Sequence, residues 1–526
     1  MQDGCRDFDG QPRTDTKFKG SAMNLTTLLD MAAEGFGDRV VVGFRDGGLT
    51  ATRLMDLAKG GARVVQEAGA DALVFLGVNG PAFPVALFAA AYAGVPMVPF
   101  NYRLGAEQIE QLLASHASPV GIVEPRQADL VARARLPWHT PEEWLGLAAD
   151  QAGRHAEPQV DSSDGPAVII YTSGTTSTPK GVLLRHENLV SYVLGTVDFA
   201  GADAEDAALI SVPPYHVAAV TNAITNLFAG RRAVMLENFT PEHWLEVVRK
   251  ERVTNAMVVP TMLARIMDTE GVDRSVPSLR ALAYGGAKMP QRVIEAALRE
   301  WPHVGFVNAY GLTETSSTVT VLGPEDHRAA LEASDLAVRA RLSSVGRAVP
   351  GIDIEIRDEQ GKPVPPGEQG LIWLRGAQVS GEYVGTGPAV DDRGFFFTRD
   401  QGRLDRGGYL FVEGRMDDTI IRGAENIAPA EIEDVLMQHP EVSDAVVVGI
   451  PDEEWGQRVQ AAVVPRPESP LTPEELREYV RRHLRSSKTP DRIVFWDELP
   501  RTATGKLLRR DVVAALTTTM QPTPAK

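Results

Sequence analysis

The densest set of chemically useful side chains in the chain is Tyr171-Thr172-Ser173-Gly174-Thr175-Thr176-Ser177-Thr178-Pro179-Lys180-Gly181, with six Ser/Thr hydroxyls, two glycines and one lysine. Such a run can wrap an anion: hydroxyls and bare backbone N–H groups donate from several directions, and the lysine supplies a full charge. The lysine stands out because the chain holds only ten lysines against 43 arginines. Pro179 before Lys180, with the strand-like Gly181-Val182-Leu183-Leu184 after it, excludes a Gly-Lys-Ser/Thr loop that enters a helix. The spacing predicts strand, loop, strand. Composition alone fits an ordinary Ser/Thr-rich hairpin turn equally well.

Further motifs follow in order. Tyr284-Gly285-Gly286-Ala287-Lys288-Met289-Pro290 is a tight glycine turn, and Phe306-Val307-Asn308-Ala309-Tyr310-Gly311-Leu312-Thr313-Glu314 sets an amide, an aromatic ring and a carboxylate within one run. An amide can read a purine edge, an aromatic offers a stacking face, and a carboxylate suits a hard cation. Thr398-Arg399-Asp400, Gly414-Arg415-Met416-Asp417-Asp418, Arg422-Gly423-Ala424-Glu425-Asn426-Ile427 and Leu499-Pro500-Arg501-Thr502-Ala503-Thr504-Gly505-Lys506 complete the series.

Together these motifs resemble those of the AMP-forming adenylating enzymes: acyl-CoA synthetases, luciferases and the adenylation domains of peptide synthetases. The resemblance runs from about residue 25 to 508. It implies that Thr172, Ser173, Gly174, Thr175, Thr176 and Lys180 cradle the phosphates of ATP. Gly286 and Ala287 would lie against the adenine face, Asn308 would pair with its amino group, and Tyr310 would stack on the ring, flanked by Ala309 and Gly311. Thr313 would reach the phosphates, Glu314 would hold Mg²⁺, and Asp400 and Arg415 would meet the ribose. Lys506 takes the role of the adenylation lysine, Asp417 that of the hinge, and His216, in Pro213-Pro214-Tyr215-His216, would lie near the substrate carboxylate. Gly423 and Ala424 would face the thiol tunnel once the small domain has rotated.

Two departures stand out. Arg399 replaces the usual glycine of Thr-Gly-Asp, and Ala424 replaces the second of two glycines. A methyl at 424 either narrows the thiol passage or is accommodated by it.

The implied reaction is an acyl-CoA ligation through an acyl-adenylate. A carrier-protein thiol or an amine is the alternative acceptor, and a non-catalytic nucleotide-binding module is the reading from another class. Retention of Glu314, Asp400 and Lys506 together argues against the last. The acyl pocket is expected from residues 217–225, 261–262, 285, 309 and 315–319, where small and β-branched types suggest an apolar acid without naming it.

These residues need a scaffold. Buried strand patterns at 72–76, 97–100, 208–212, 233–236 and 256–259 alternate with helical stretches, which predicts an α/β fold of helix-covered mixed or parallel sheets. From 346 to 375 the texture changes to short strands and turns, a small β subdomain. The expected division is a disordered tail over 1–22, an N-terminal adenylate-forming domain over 23–415, and a mobile α+β lid over 416–526.

The uncharged stretch 72–100 contains four prolines, which suits a buried strand–helix–strand better than a membrane span. The first twenty residues lack an apolar signal region, so the expected location is cytoplasmic. A net charge of −17 argues against nucleic-acid binding driven by overall charge, and the lone Cys5 excludes an internal disulfide or a multi-cysteine metal site. Oligomeric state is not legible.

Overall fold

The computed structural model describes residues 23–153, 165–172, 179–422, 425–452, 455–502, 505 and 507–518. Ser173, Gly174, Thr175, Thr176, Gly423, Ala424, Lys506 and the 1–22 tail therefore lie outside the described residues. The uncharged stretch becomes strand Leu73–Leu76, helix Ala82–Ala93 and strand Met97–Pro99. Every residue of that helix is buried, so its apolar character serves a protein core on all sides. No helix among the described residues is long and apolar enough to cross a membrane.

Two large sheets organise the N-terminal part. In the first, of eight strands, Leu73–Leu76 is flanked in parallel by Met97–Pro99 and Val120–Val123. Strand Pro166–Thr172 continues this sheet and turns back antiparallel into Lys180–Arg185. In the second, of nine strands, Ala207–Ile210, Asn255–Val258, Ala281–Gly285 and Gly305–Leu312 run parallel before Ser317–Leu322 reverses direction. Parallel strands end on a common side, which is where open α/β sheets place ligand sites. The glycine turn and the 306–314 motif both fall at such ends.

The predicted β subdomain is a four-stranded antiparallel sheet that extends beyond 375. It takes in Phe396–Leu404 and Leu410–Arg415, and so brings the Thr398–Asp400 motif into the same unit. The lid is a three-stranded sheet, Val442–Asp452, Gly456–Pro465 and Arg492–Phe495, covered by helices Pro429–Gln438, Pro473–His483 and Arg509–Thr518. Its apolar clusters are separate from the large core: Ile432, Leu436, Val447 and Leu476 form one, and Val446, Ile450 and Leu516 another. A unit with its own core can move as a body.

Candidate active site

The stems of the hairpin that carries residues 173–178 are tightly registered. Thr172 faces Lys180 across the hairpin, and Thr172 Oγ1 donates to the Lys180 carbonyl at 3.4 Å. The strand–loop–strand expectation holds at both stems. Exposed Lys180 directs its Nζ to 5.7 Å from the Tyr383 ring centroid. Tyr383 arrives on the two-residue strand Glu382–Tyr383, paired to the hairpin at Val182 and clamped by two Arg185–Glu382 hydrogen bonds of 2.9 Å.

The Tyr383 hydroxyl donates to Glu314 Oε1 at 2.9 Å. Burial, reinforced by the Glu314 charge, raises this phenol above its ordinary range, so it remains a donor. The Glu314 carbonyl accepts from the Ser380 and Gly381 N–H groups at 2.9 and 3.1 Å. Side chain and main chain thus fix the carboxylate beside the loop neck. One carboxylate so held suits Mg²⁺, which takes its other ligands from phosphate oxygens and water. Among the described residues no three His, Cys, Asp or Glu side chains gather into a protein-only metal cage.

Glu314 sits in the 3₁₀ turn Thr313–Thr315, followed by Ser316 and Ser317 at φ 52° and 93°. Two consecutive left-handed residues other than glycine cost about 1 kcal/mol or more each. Thr315, fully buried, offsets this by accepting from the Leu312 N–H at 2.9 Å and donating to the Ser317 carbonyl at 2.8 Å. Gly311 is required at the entry, because a Cβ there would run into that same carbonyl. Thr315 therefore serves the turn, and Val319 packs with Ile352, Ile356 and Ile372 in the small sheet's core. Within 315–319, Ser317 and Thr318 remain part-exposed.

The residues expected at the base and the ribose assemble from three separate motifs. Asn308 Nδ2 donates to the Ser344 carbonyl at 3.0 Å, which leaves the amide oxygen to accept from a purine amino group. The Tyr310 hydroxyl donates to Asp400 Oδ2 at 2.7 Å, and burial, then the Asp400 charge, holds this phenol well above its ordinary range. Asp400 lies opposite Arg415 across paired strands, with Arg415 Nε 3.6 Å from Asp400 Oδ1. Next to them, Gly285 pairs with Ala309 so closely that a Cβ would strike the Ala309 carbonyl. Gly286 then turns the chain at φ 81°, and Gly286 and Ala287 are exposed.

His216 precedes helix Val217–Ala229, and its ring centroid lies 4.6 Å from that of buried Tyr215. Gly505, the neighbour of Lys506, lies so close to Thr261 at the start of helix Pro260–Asp268 that a Cβ would collide with the threonine side chain. Arg501 braces this segment, donating to the Gly505 carbonyl at 2.7 Å and to both Asp444 oxygens at 2.8 Å. A second bridge from lid to body joins Lys288 Nζ to Asp434 Oδ2 at 2.5 Å. Asp417, in the connecting turn Met416–Asp418, pairs with Arg399 Nη2 at 2.9 Å.

Residues 29–384 match the family model of the AMP-binding enzymes, and residues 431–506 match the model of the AMP-binding enzyme C-terminal domain. The chain belongs to the AMP-binding enzyme family. It is 33% identical over 513 residues to an indoleacetate–CoA ligase of Aromatoleum aromaticum, covering 93% of this chain and 98% of that one. It is 32% identical over 461 residues to the fatty acid–[acyl-carrier-protein] ligase ScoC of Streptomyces coeruleorubidus, covering 84% and 86%. Among solved structures, the amide bond synthetase McbA of Marinactinospora thermotolerans aligns with a TM-score of 0.82 at 28% identity, covering 94% and 99%. This AMP-binding enzyme is thus an acid-activating, AMP-forming ligase with the adenylating fold.

Sequence reasoning missed two members of the site. Tyr383 lies in no motif, and the Ser344 carbonyl has no side-chain signature. It saw Arg399 as a departure but not as the partner of Asp417.

Proposed function

We propose that this AMP-binding enzyme joins a small carboxylic acid to CoA in two steps at one site. The observation that carries this reading is convergence: Glu314 beside the loop neck, and Asn308, Tyr310, Asp400 and Arg415 joined across three motifs. In the first step a substrate carboxylate oxygen attacks the α-phosphorus of ATP, the α–β bridge breaks, and pyrophosphate leaves. The carboxylate is already ionised at neutral pH, so no base is needed. The obstacle is anion meeting anion, and the remedy is a preorganised set of donors.

Lys180 and the hydroxyls of residues 172–176 hold the outer phosphates, Thr313 reaches them, and Lys506 bridges carboxylate and α-phosphate. Mg²⁺, held by Glu314, would screen the phosphate charge. Gly286, Ala287 and Tyr310 cover the adenine, Asn308 accepts from its amino group, and Asp400 and Arg415 take the ribose. His216 lies against the carboxylate. In the second step the lid turns about Asp417, Lys506 withdraws, and Gly423 and Ala424 come to face the incoming thiol. The thiol sulfur attacks the acyl carbon, loses its proton to solvent, and AMP leaves. The similarity to an acyl-carrier-protein ligase and to an amide bond synthetase favours a second reading, in which a separate carrier thiol or an amine replaces CoA. A cytoplasmic location accompanies either acceptor.

The test is pyrophosphate release across indolyl, aryl and fatty acids, with and without CoA. Sustained release only with CoA supports the main reading. A single burst regardless of CoA points to the other acceptors. Lys506→Ala should lower pyrophosphate–ATP exchange about a hundred- to thousandfold, the usual loss for one preorganised donor to transition-state charge. Acyl transfer from presynthesised acyl-adenylate should persist. Exchange within a few-fold of the parent removes Lys506 from its role.

A further inference from the structure

Residue 399 has φ 64°, left-handed backbone occupied by an arginine. Glycine is the residue that adopts this region without cost, and an L-residue there is uncommon. A long side chain held there needs a compensating contact. Arg399 Nη2 makes one with Asp417 Oδ1 at 2.9 Å, the two side chains being 46% and 20% exposed. The pair spans from strand Phe396–Leu404, which presents Asp400, to the turn Met416–Asp418, through which the chain leaves the four-stranded sheet for the C-terminal unit. It forms in an arrangement where the lid also touches the body at Gly505–Thr261 and at Lys288–Asp434.

We propose that Arg399 is a positioning residue for the two-step reaction. By gripping Asp417 it holds the connecting turn in the arrangement that brings Gly505 to Thr261, and it must release before the thiol step. The proposal rests on the two-step reading given above. A partly exposed ion pair changes an equilibrium by only a few-fold, which suits a catch that opens in every cycle and not a permanent lock. The arginine thus gives up backbone ease for a hold on the pivot, and biases the enzyme towards keeping its adenylate.

The test compares Arg399→Gly, Arg399→Lys, Asp417→Asn and the double variant Arg399→Gly/Asp417→Asn. Pyrophosphate–ATP exchange with indoleacetate or decanoate should stay within about twofold of the parent in Arg399→Gly. Single-turnover transfer from the matching acyl-adenylate to CoA should accelerate about two- to fivefold, the range of one such ion pair. Arg399→Lys should stay near the parent. Asp417→Asn should accelerate transfer alike, and the double variant should add nothing, because both changes break one interaction.

Hydrogen–deuterium exchange over residues 416–422 supplies a readout that needs no substrate, and it should quicken in Arg399→Gly. Transfer that is unchanged or slower, or additive effects in the double variant, overturn the proposal. A parent that neither exchanges pyrophosphate nor transfers acyl groups refutes the two-step reading instead. Amide exchange then decides whether Arg399 holds the turn, and unchanged exchange overturns that as well.

Discussion

At the scale of single residues, the site is held by hydrogen bonds from phenols whose ionisation burial opposes. Tyr383 is the clearest case. Its phenol stays protonated, its hydroxyl donates to Glu314 at 2.9 Å, and its ring faces Lys180. Tyr383→Phe keeps the ring and removes the tether. Partners that orient a metal-holding carboxylate are typically worth about ten- to a hundredfold in metal affinity. We expect Tyr383→Phe to raise the Mg²⁺ concentration for half-maximal pyrophosphate exchange about tenfold, with thermal stability nearly unchanged. A magnesium titration of the two proteins checks this, and superimposable curves rule out the tether. Asn308, Tyr310, Glu314, Asp400 and Arg415 were legible in the sequence because each lies in a contiguous run with a recognisable order. Tyr383 was not, because its bond to Glu314 crosses 69 residues of chain and depends on a strand pairing that no local pattern announces.

At the scale of elements, the strand–helix alternation was legible because fully buried strands are continuous apolar runs, and their predicted positions match strands such as Leu73–Leu76 and Asn255–Val258. Short edge strands such as Glu382–Tyr383 escaped, because pairing and not composition defines them. The same holds for the extent of the small sheet, whose outer strands Phe396–Leu404 and Leu410–Arg415 sit amid polar motif residues. Contacts invisible to periodicity also lock elements together. Arg232, on strand Arg232–Met235, donates to Glu251 Oε2 at 2.7 Å just past helix Pro241–Lys250, with side chains only 5% and 8% exposed. Arg232 Nη1 also reaches the Gly43 carbonyl at 3.1 Å, and Glu251 Oε2 accepts from the Arg45 N–H at 3.2 Å. Three segments therefore share one buried pair. Glu251→Ala leaves the guanidinium without its carboxylate, and should destabilise the N-terminal part by about 3–5 kcal/mol. Urea unfolding followed by tryptophan fluorescence measures it. A loss below about 1 kcal/mol means that the pair is solvated in solution.

At the scale of the whole molecule, buried histidines tie distant parts together in a form that acid undoes. Burial pushes His186 down to about 4, and its Nδ1 accepts from the Leu25 N–H at 3.4 Å, joining helix Leu25–Phe36 to helix His186–Thr196. Burial likewise lowers His327 and His116. His327 lies 2.7 Å from the Gly323 carbonyl through Nδ1 and 2.8 Å from the Tyr284 hydroxyl through Nε2. A neutral ring with its proton on Nδ1 donates to the first and accepts from the second. A second proton on Nε2 would force the Tyr284 hydroxyl to turn from donor to acceptor, and burial opposes the charge it brings. In the folded chain these rings take up a second proton only at lower pH than an unfolded histidine, which does so near pH 6.5. The unfolded state therefore binds more protons across the window from about 6.5 downwards, so the stabilisation is complete above it and is lost as pH falls towards 4. For His186 alone, a displacement from the ordinary value to about 4 corresponds to roughly 3 kcal/mol. The thermal midpoint should drop steadily between pH 6.5 and 4. His186→Gln, which has no proton to gain, should flatten that profile while lying below the parent at neutral pH. If the two profiles run parallel from pH 7 to 4, His186 is not a source of the acid sensitivity, and the burden falls on His116 and on His327, which contacts Tyr284 at the glycine turn.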